Sequence, residues 1–165
     1  MQRRLGAQVV VQLDEPALGP ILDGTVTPLT RLDPIRPIPA PEVIETLRGL
    51  AGAVGRPMVL HSCARPRWEV LGALPEYALA LDLSLLGEAD YDPLGGFLDR
   101  GGKLVAGVLP GIDPPHPIDA EPLALRVAGL FDRIGLPRRL LAENLQISPA
   151  CGLAVGRRCE REVGL

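Results

Sequence analysis

The sequence predicts an α/β fold built around a parallel sheet. Short apolar runs recur along the chain and are nearly continuous rather than alternating, which is typical of strands buried on both faces. Segments with helical spacing of apolar residues separate these runs, so the order β-α repeats and favours right-handed crossovers. The 165 residues suffice for one domain, and we expect a single domain over residues 1–165.

Five apolar runs are predicted to be strands: Ala7–Leu13, Met58–Leu60, Tyr77–Leu83, Leu104–Leu109 and Leu145–Ile147. Helical periodicity is clearest in Glu42–Val54 and Glu121–Ile134, each followed by a glycine suited to ending a helix. Weaker helical patterns cover Arg67–Leu74 and Tyr91–Arg100. The proline-rich segment Pro20–Pro41 is predicted to be a long ordered loop or a lid rather than a helix.

Composition argues against several classes of protein. The net charge is −3 and no basic stripe is present, so nucleic acid is not expected as a partner. No apolar run approaches the ~18–20 residues that span a bilayer, and no signal peptide is recognisable, so we expect a cytoplasmic protein without membrane contact. The cysteines number three, and an odd number without an export signal argues against a disulfide framework. Metal binding, catalysis and plain burial remain open for them.

Chemically capable side chains collect at the carboxyl ends of the predicted strands. Asp14 follows the first strand, His61 and Cys63 follow the second, Asp82 lies near the end of the third, and Cys151 follows the fifth. In a parallel barrel these ends form one face, which is the face where active sites are built.

The pair His61 and Cys63 suggests a metal site. Residues i and i+2 of an extended backbone point to the same side, so an imidazole and a thiolate can share one zinc ion. Cys151 can supply a third ligand from the last strand, and a carboxylate, water or a substrate thiol can take the fourth position. Simple burial of these cysteines is the competing interpretation.

Ordinary structural roles are open for the other candidates. Asp14, with Glu15 and Pro16, can cap a turn, and Asp82 can bind backbone amides at a loop. His116 fits an exposed loop, and Cys159, in the charged segment GRRCEREVGL, fits an ordinary thiol.

Three segments together resemble the carboxyl-terminal barrel of cobalamin-independent methionine synthase, within the wider family that includes uroporphyrinogen decarboxylase-like barrels. VQLDEPAL (Val11–Leu18) is similar to that family's Gln-x-Asp-Glu-Pro-Ala-Leu motif. The second segment, His61-Ser62-Cys63, is similar to its His-x-Cys zinc pair, and SPACGL (Ser148–Leu153) to its Asn-Pro-x-Cys-Gly-Leu motif. Order and spacing agree over essentially the whole chain.

The resemblance implies a zinc site and a reaction. Zinc would be bound by His61, Cys63 and Cys151, with Asp82 in place of the family's glutamate ligand and Glu88 as the alternative. Asp14 would hold the amino group of homocysteine, and the zinc ion would bind the sulfur of homocysteine. The thiolate would take a methyl group from 5-methyltetrahydrofolate, which gives methionine.

The chain also departs from the family. Ile112 stands where the family has a proton-donating histidine, and His116, four residues later, is the candidate replacement. A complete (β/α)8 TIM barrel needs roughly 250 residues, so we expect only about the last five β/α units. Three alternatives stay open: the chain is a fragment of a longer gene product, a half that another copy or subunit completes, or a remodelled open sheet. A different methyl donor, a non-catalytic zinc-binding subunit and an inactive remnant are the alternative functions.

Overall fold

The protein is an α/β structure, and its described residues form one five-stranded, all-parallel sheet. The structure, a computed structural model, describes residues 6–27, 35–111 and 117–151. The strands are hydrogen-bonded in chain order: β1 (Val11–Asp14), β2 (Met58–Ser62), β3 (Tyr77–Asp82), β4 (Leu104–Leu109) and β5 (Leu145–Pro149). Sequential order in a parallel sheet is compatible with part of a barrel.

Helices connect the strands. In the described residues these are α1 (Leu18–Asp23), α2 (Ala40–Val54), α3 (Trp68–Leu71), α4 (Tyr91–Asp99), α5 (Ala120–Ile134) and α6 (Leu140–Glu143). Two short 3₁₀ turns, Leu83–Leu85 and Glu88–Asp90, lie between β3 and α4. None of these helices is both long enough and apolar enough to cross a membrane.

One face of the sheet carries the core. A row of leucines crosses it in register: Leu13, Leu60, Leu79, Leu104 and Leu145. The helices pack against this face through residues of the same cluster, among them Leu47, Phe97 and Phe131. Burial of this apolar surface is the main stabilising contribution to the fold.

The opposite face, called the inner face here, is lined by smaller and more polar side chains. Its central row is Asp14, His61, Ala80, Val105 and Gln146. An open cavity of about 390 Å³ lies over its amino-terminal half, between Val59, Ala78 and Gln146. That cavity is therefore separate from the carboxyl ends of the strands, where the candidate site residues lie.

The predicted strands and helices are all present, with shifted ends. Prediction and structure agree over Leu104–Leu109, whereas the first strand begins at Val11 instead of Ala7. Within the predicted helix Glu42–Val54, Leu47 is buried but Leu50 is 37% exposed, so its apolar residues do not all face the core.

The prediction that Pro20–Pro41 is a loop throughout is wrong at both ends. Residues up to Asp23 belong to α1, and α2 already begins at Ala40. Pro20 is tolerated because it lies in the first turn of α1, where its missing N–H has no helical partner to lose. Gly24 then ends α1 in the left-handed conformation, with φ 65° and its N–H bonded to the Pro20 carbonyl.

Candidate metal centre

Strand β2 positions the first two candidate ligands. Every residue of β2 is buried, and His61 is only 7% exposed between Asp14 of β1 and Ala80 of β3. The His61 carbonyl accepts a hydrogen bond of 2.8 Å from the Glu15 backbone N–H, which ties β1 to the end of β2. Cys63 comes directly after the strand and is partly exposed. The strand-end position predicted for both residues is therefore present.

The segment after β5 brings the third candidate ligand to the same place. The Sγ atoms of Cys63 and Cys151 are 3.8 Å apart. One ligand atom from each of His61, Cys63 and Cys151 lies within 4.8 Å of the others. These three side chains, called the His-Cys-Cys group here, form a group that can hold a metal ion.

The sulfur separation fits one shared cation. Two sulfurs that each lie about 2.3 Å from a tetrahedral zinc ion are separated by about 3.8 Å. The observed Sγ–Sγ distance is 3.8 Å. A disulfide would need the sulfurs about 2.05 Å apart, and both cysteines are free thiols here.

This proximity depends on the shape of the sheet. Neighbouring strands lie about 4.8 Å apart, so β2 and β5, three positions apart, would be about 14 Å apart in a flat sheet. The Cα atoms of two disulfide-bonded cysteines are at most about 6.8 Å apart, and unbonded sulfurs at 3.8 Å extend this span by only about 2 Å. The ends of β2 and β5 and the residues after them therefore converge over the inner face.

The electrostatic environment of the two thiols favours a cation. Burial raises the pKa of the Cys63 thiol above its ordinary value of 9.0, and the hydrogen bond with Cys151, the charge of Cys151 and the charge of Asp14 raise it further. The raised pKa keeps the Cys63 thiol protonated near neutral pH, and a bound cation would favour its thiolate.

The buried imidazole of His61 also favours a bound cation. His61 is buried, yet among the hydrogen bonds between described side chains none involves its ring. A buried ring nitrogen without a partner costs free energy, and an ion that the ring can coordinate would remove that cost.

The carboxylates lie outside the His-Cys-Cys group. Asp14 is in register with His61, and its carboxylate accepts a hydrogen bond of 2.7 Å from Gln12 Nε2. Asp82 accepts the backbone N–H of Ser84 at 2.8 Å and caps the first 3₁₀ turn, which is the ordinary role that the sequence left open. Glu88 is exposed in the second turn. Within residues 6–27, 35–111 and 117–151, no carboxylate oxygen belongs to the group.

Gln12 is the contact that sequence reasoning missed. It lies two residues before Asp14 on an extended strand, so both side chains point to the inner face. This i and i+2 spacing is the signal that could have revealed the pair. The candidate proton donor His116, the aligned Ile112 and the third cysteine, Cys159, lie outside the described residues.

Comparison of the sequence with protein-family models and with curated proteins finds no match. The function is therefore argued from the His-Cys-Cys group and its surroundings.

Proposed function

We propose that this chain is the zinc-binding part of a barrel enzyme that transfers a methyl group to a thiol. The observation that carries the proposal is the His-Cys-Cys group at the carboxyl ends of β2 and β5. Three protein ligands with one position left free are typical of zinc sites that act on a bound molecule, whereas structural zinc sites use four.

The donor atoms favour zinc over harder cations. Thiolates select zinc and other soft metals, and imidazole also suits zinc. Magnesium and calcium prefer oxygen ligands, and no carboxylate belongs to the described group. Asp82 or Glu88 as a fourth ligand would require each to leave its present position, so we favour a free fourth position for the substrate thiol.

The residues around the group suit an amino-acid thiol such as homocysteine. When bound, zinc lowers the pKa of a thiol and supplies a thiolate at neutral pH. Asp14, held by Gln12 beside His61, offers a carboxylate to the substrate's amino group. The buried position of His61 keeps its imidazole fixed on the sheet. These residues thus bind and orient the acceptor.

The barrel architecture is part of the proposal. The sequential parallel order of the strands and the convergence of β2 and β5 are those expected for the last five units of a (β/α)8 barrel. The inner face is open over its amino-terminal half, and Val10 is 58% exposed beside it. Another copy or subunit that completes the barrel would cover this face.

The methyl donor that the motif resemblance favours is 5-methyltetrahydrofolate, with methionine as the product and His116 as the candidate proton donor. A thiol methyltransferase with another donor and a binding-only zinc subunit share the same metal group. Metal analysis and a methyl-transfer assay separate them.

Metal content tests the group directly. Purified, reduced protein loaded with zinc and dialysed should hold one zinc ion per chain, and Cys63→Ser should hold almost none, because loss of a thiolate ligand weakens the site severely. Cys159→Ser is the matched control, because it removes a thiol of the charged segment and should retain zinc. Wild-type protein without zinc after loading would contradict the proposal.

Methyl transfer tests the reaction. Zinc-loaded protein is incubated with homocysteine and 5-methyltetrahydrofolate triglutamate, and methionine is measured by mass spectrometry. Methionine formation that Cys63→Ser abolishes supports the proposal. The contrary outcome is stoichiometric zinc binding without methionine formation, both by the chain alone and after addition of the subunit that completes the barrel. That result overturns the enzymatic role and leaves a zinc-binding subunit.

A further inference from the structure

Gly107 of β4 lies where the chain after β5 crosses the sheet. A Cβ atom built on Gly107 would be 2.7 Å from the Ala150 Cα, 2.9 Å from the Leu81 carbonyl oxygen and 3.2 Å from the Pro149 carbonyl oxygen. Side chains almost never approach backbone atoms so closely, so any larger residue here would displace its neighbours. The backbone of Ala150 therefore occupies the space that a side chain at position 107 would fill.

The crossing is held by the backbone. The Ala150 N–H donates a hydrogen bond of 2.8 Å to the Leu109 carbonyl, and the pairing of β4 with β5 shifts register between Gly107 and Leu109. Such irregularities bend a strand and redirect the residues after it. Cys151 is the next residue, and its Sγ lies 3.8 Å from that of Cys63.

Space, and not backbone conformation, explains the glycine. Gly107 is not among the glycines with positive φ, so its backbone conformation is open to other residues. The contacts at its missing Cβ are the only feature of its described surroundings that requires a glycine.

We propose that Gly107 is a positioning residue: its missing side chain lets Ala150 lie over β4 and so holds the Cys151 thiol beside Cys63, directly after β2. Measurements of metal binding rest on the proposed zinc function, whereas measurements of the thiol pair do not. A larger residue at position 107 moves Ala150 away from the sheet and separates Cys151 from Cys63.

Cobalt replaces zinc as a spectroscopic probe. The sulfur-to-cobalt charge-transfer absorption reports how many thiolates bind the ion, so Cys151→Ser provides the reference for one lost thiolate. Gly107→Ala should show the absorption of Cys151→Ser and a metal affinity about ten- to a hundredfold weaker than wild type. Gly95→Ala is the matched control, because its Cβ would lie 2.6 Å from the Ile134 side chain, away from the site, so it too crowds a buried glycine.

The thiol pair is tested without metal. In a glutathione redox buffer, Cys63 and Cys151 form a disulfide when glutathione disulfide accepts two electrons and two protons from the two thiols and gives two molecules of reduced glutathione. Oxidation of half of the Gly107→Ala protein should need a buffer on the order of tenfold more oxidising than the same oxidation of wild type. Gly95→Ala should match wild type. This equilibrium is measured on the Cys159→Ser background so that only one pair can form.

A second variant covers the case in which Gly107→Ala does not fold. Ala150 directly follows β5, and Ala150→Pro removes its N–H, which donates to the Leu109 carbonyl of β4. This substitution places no side chain inside the sheet. It should also weaken the Cys63–Cys151 disulfide and reduce the charge-transfer absorption.

The outcomes separate the two proposals. Wild-type protein that binds no metal, with a disulfide equilibrium that the variants weaken, refutes the zinc function and supports the role of Gly107. Unchanged disulfide equilibrium and unchanged cobalt absorption in a folded Gly107→Ala, or in Ala150→Pro if the former does not fold, overturn the positioning role.

Discussion

His61 and Cys63 show how a two-residue pattern becomes a site. His61 lies on the inner face near the end of β2 and Cys63 follows the strand directly, and the burial of His61 fixes the imidazole. Neither residue alone would indicate a metal, because buried cysteines are common. The third ligand, Cys151, makes the group specific, since its sulfur arrives from a strand that is three positions away.

The raised pKa of Cys63 predicts how the stability of the metal-free protein depends on pH. A folded-state pKa above the unfolded value of 9.0 contributes stability that is fully present below pH 9.0 and is lost as the pH rises through the folded pKa. Chemical unfolding of reduced, metal-free protein should therefore show declining stability above pH 9.0.

Cys63→Ser is the control for this pH dependence. Burial raises the pKa of the Tyr77 hydroxyl, and the charge of Glu76 raises it further. Above its ordinary value of 10.0, this hydroxyl therefore also lowers the stability of the protein as the pH rises. The difference between wild type and Cys63→Ser isolates the thiol. Parallel curves for the two proteins would refute the assignment.

Single polar side chains join elements that lie far apart in the chain. The Tyr77 hydroxyl of β3 donates a hydrogen bond of 2.6 Å to the Leu47 carbonyl of α2. Asp90, before α4, is only 8% exposed and accepts hydrogen bonds from Trp68 Nε1 of α3 and from the Gly87 backbone N–H, each at 2.8 Å. These bonds fix the helices on the core face. None of the residues that form them belongs to the His-Cys-Cys group.

Asp90→Ala should destabilise the protein without changing its metal content. The substitution leaves the Trp68 and Gly87 donors without their acceptor, and such a loss costs about 1–3 kcal/mol in the free energy of unfolding. Urea unfolding measures this change, and zinc analysis should still give wild-type stoichiometry.

Asp92→Ala, at an exposed carboxylate two residues later in the first turn of α4, is the matched control and should change stability by less than about 0.5 kcal/mol. Equal effects of the two substitutions would show that the buried hydrogen bonds of Asp90 do not stabilise the fold.

At the level of the molecule, a metal in the His-Cys-Cys group would connect the ends of β2 and β5. A cation that binds only the folded state stabilises that state by mass action. At a free zinc concentration about one hundred times the Kd, we expect a gain of about 2.7 kcal/mol in the free energy of unfolding.

Thermal unfolding with and without zinc measures this gain. Cys151→Ser should lose most of it, because the site then keeps only His61 and Cys63, at and just after the end of β2, and Cys159→Ser should retain it. A gain of the same size in all three proteins would mean that zinc binds elsewhere.

Sequence and structure agree best where apolar periodicity is strong. The continuous apolar run Leu104–Leu109 is mostly buried and appears as a strand with the predicted ends. The helix Leu18–Asp23 was missed because prolines and glycines obscure its periodicity, and its first turn tolerates Pro20. For Asp82 the sequence could not separate a ligand from a cap, since a carboxylate after a strand fits both.

The sequence alone determined that the reactive side chains lie at or just after the carboxyl ends of strands, because the alternation of apolar runs and helices places every strand end at one edge of a parallel sheet. It could not show that the thiols of Cys63 and Cys151 meet, since 88 residues separate them and only the convergence of the strand ends brings them to 3.8 Å. Nor could it show the role of Gly107. That role depends on which backbone lies against the missing Cβ, and packing in three dimensions sets this contact.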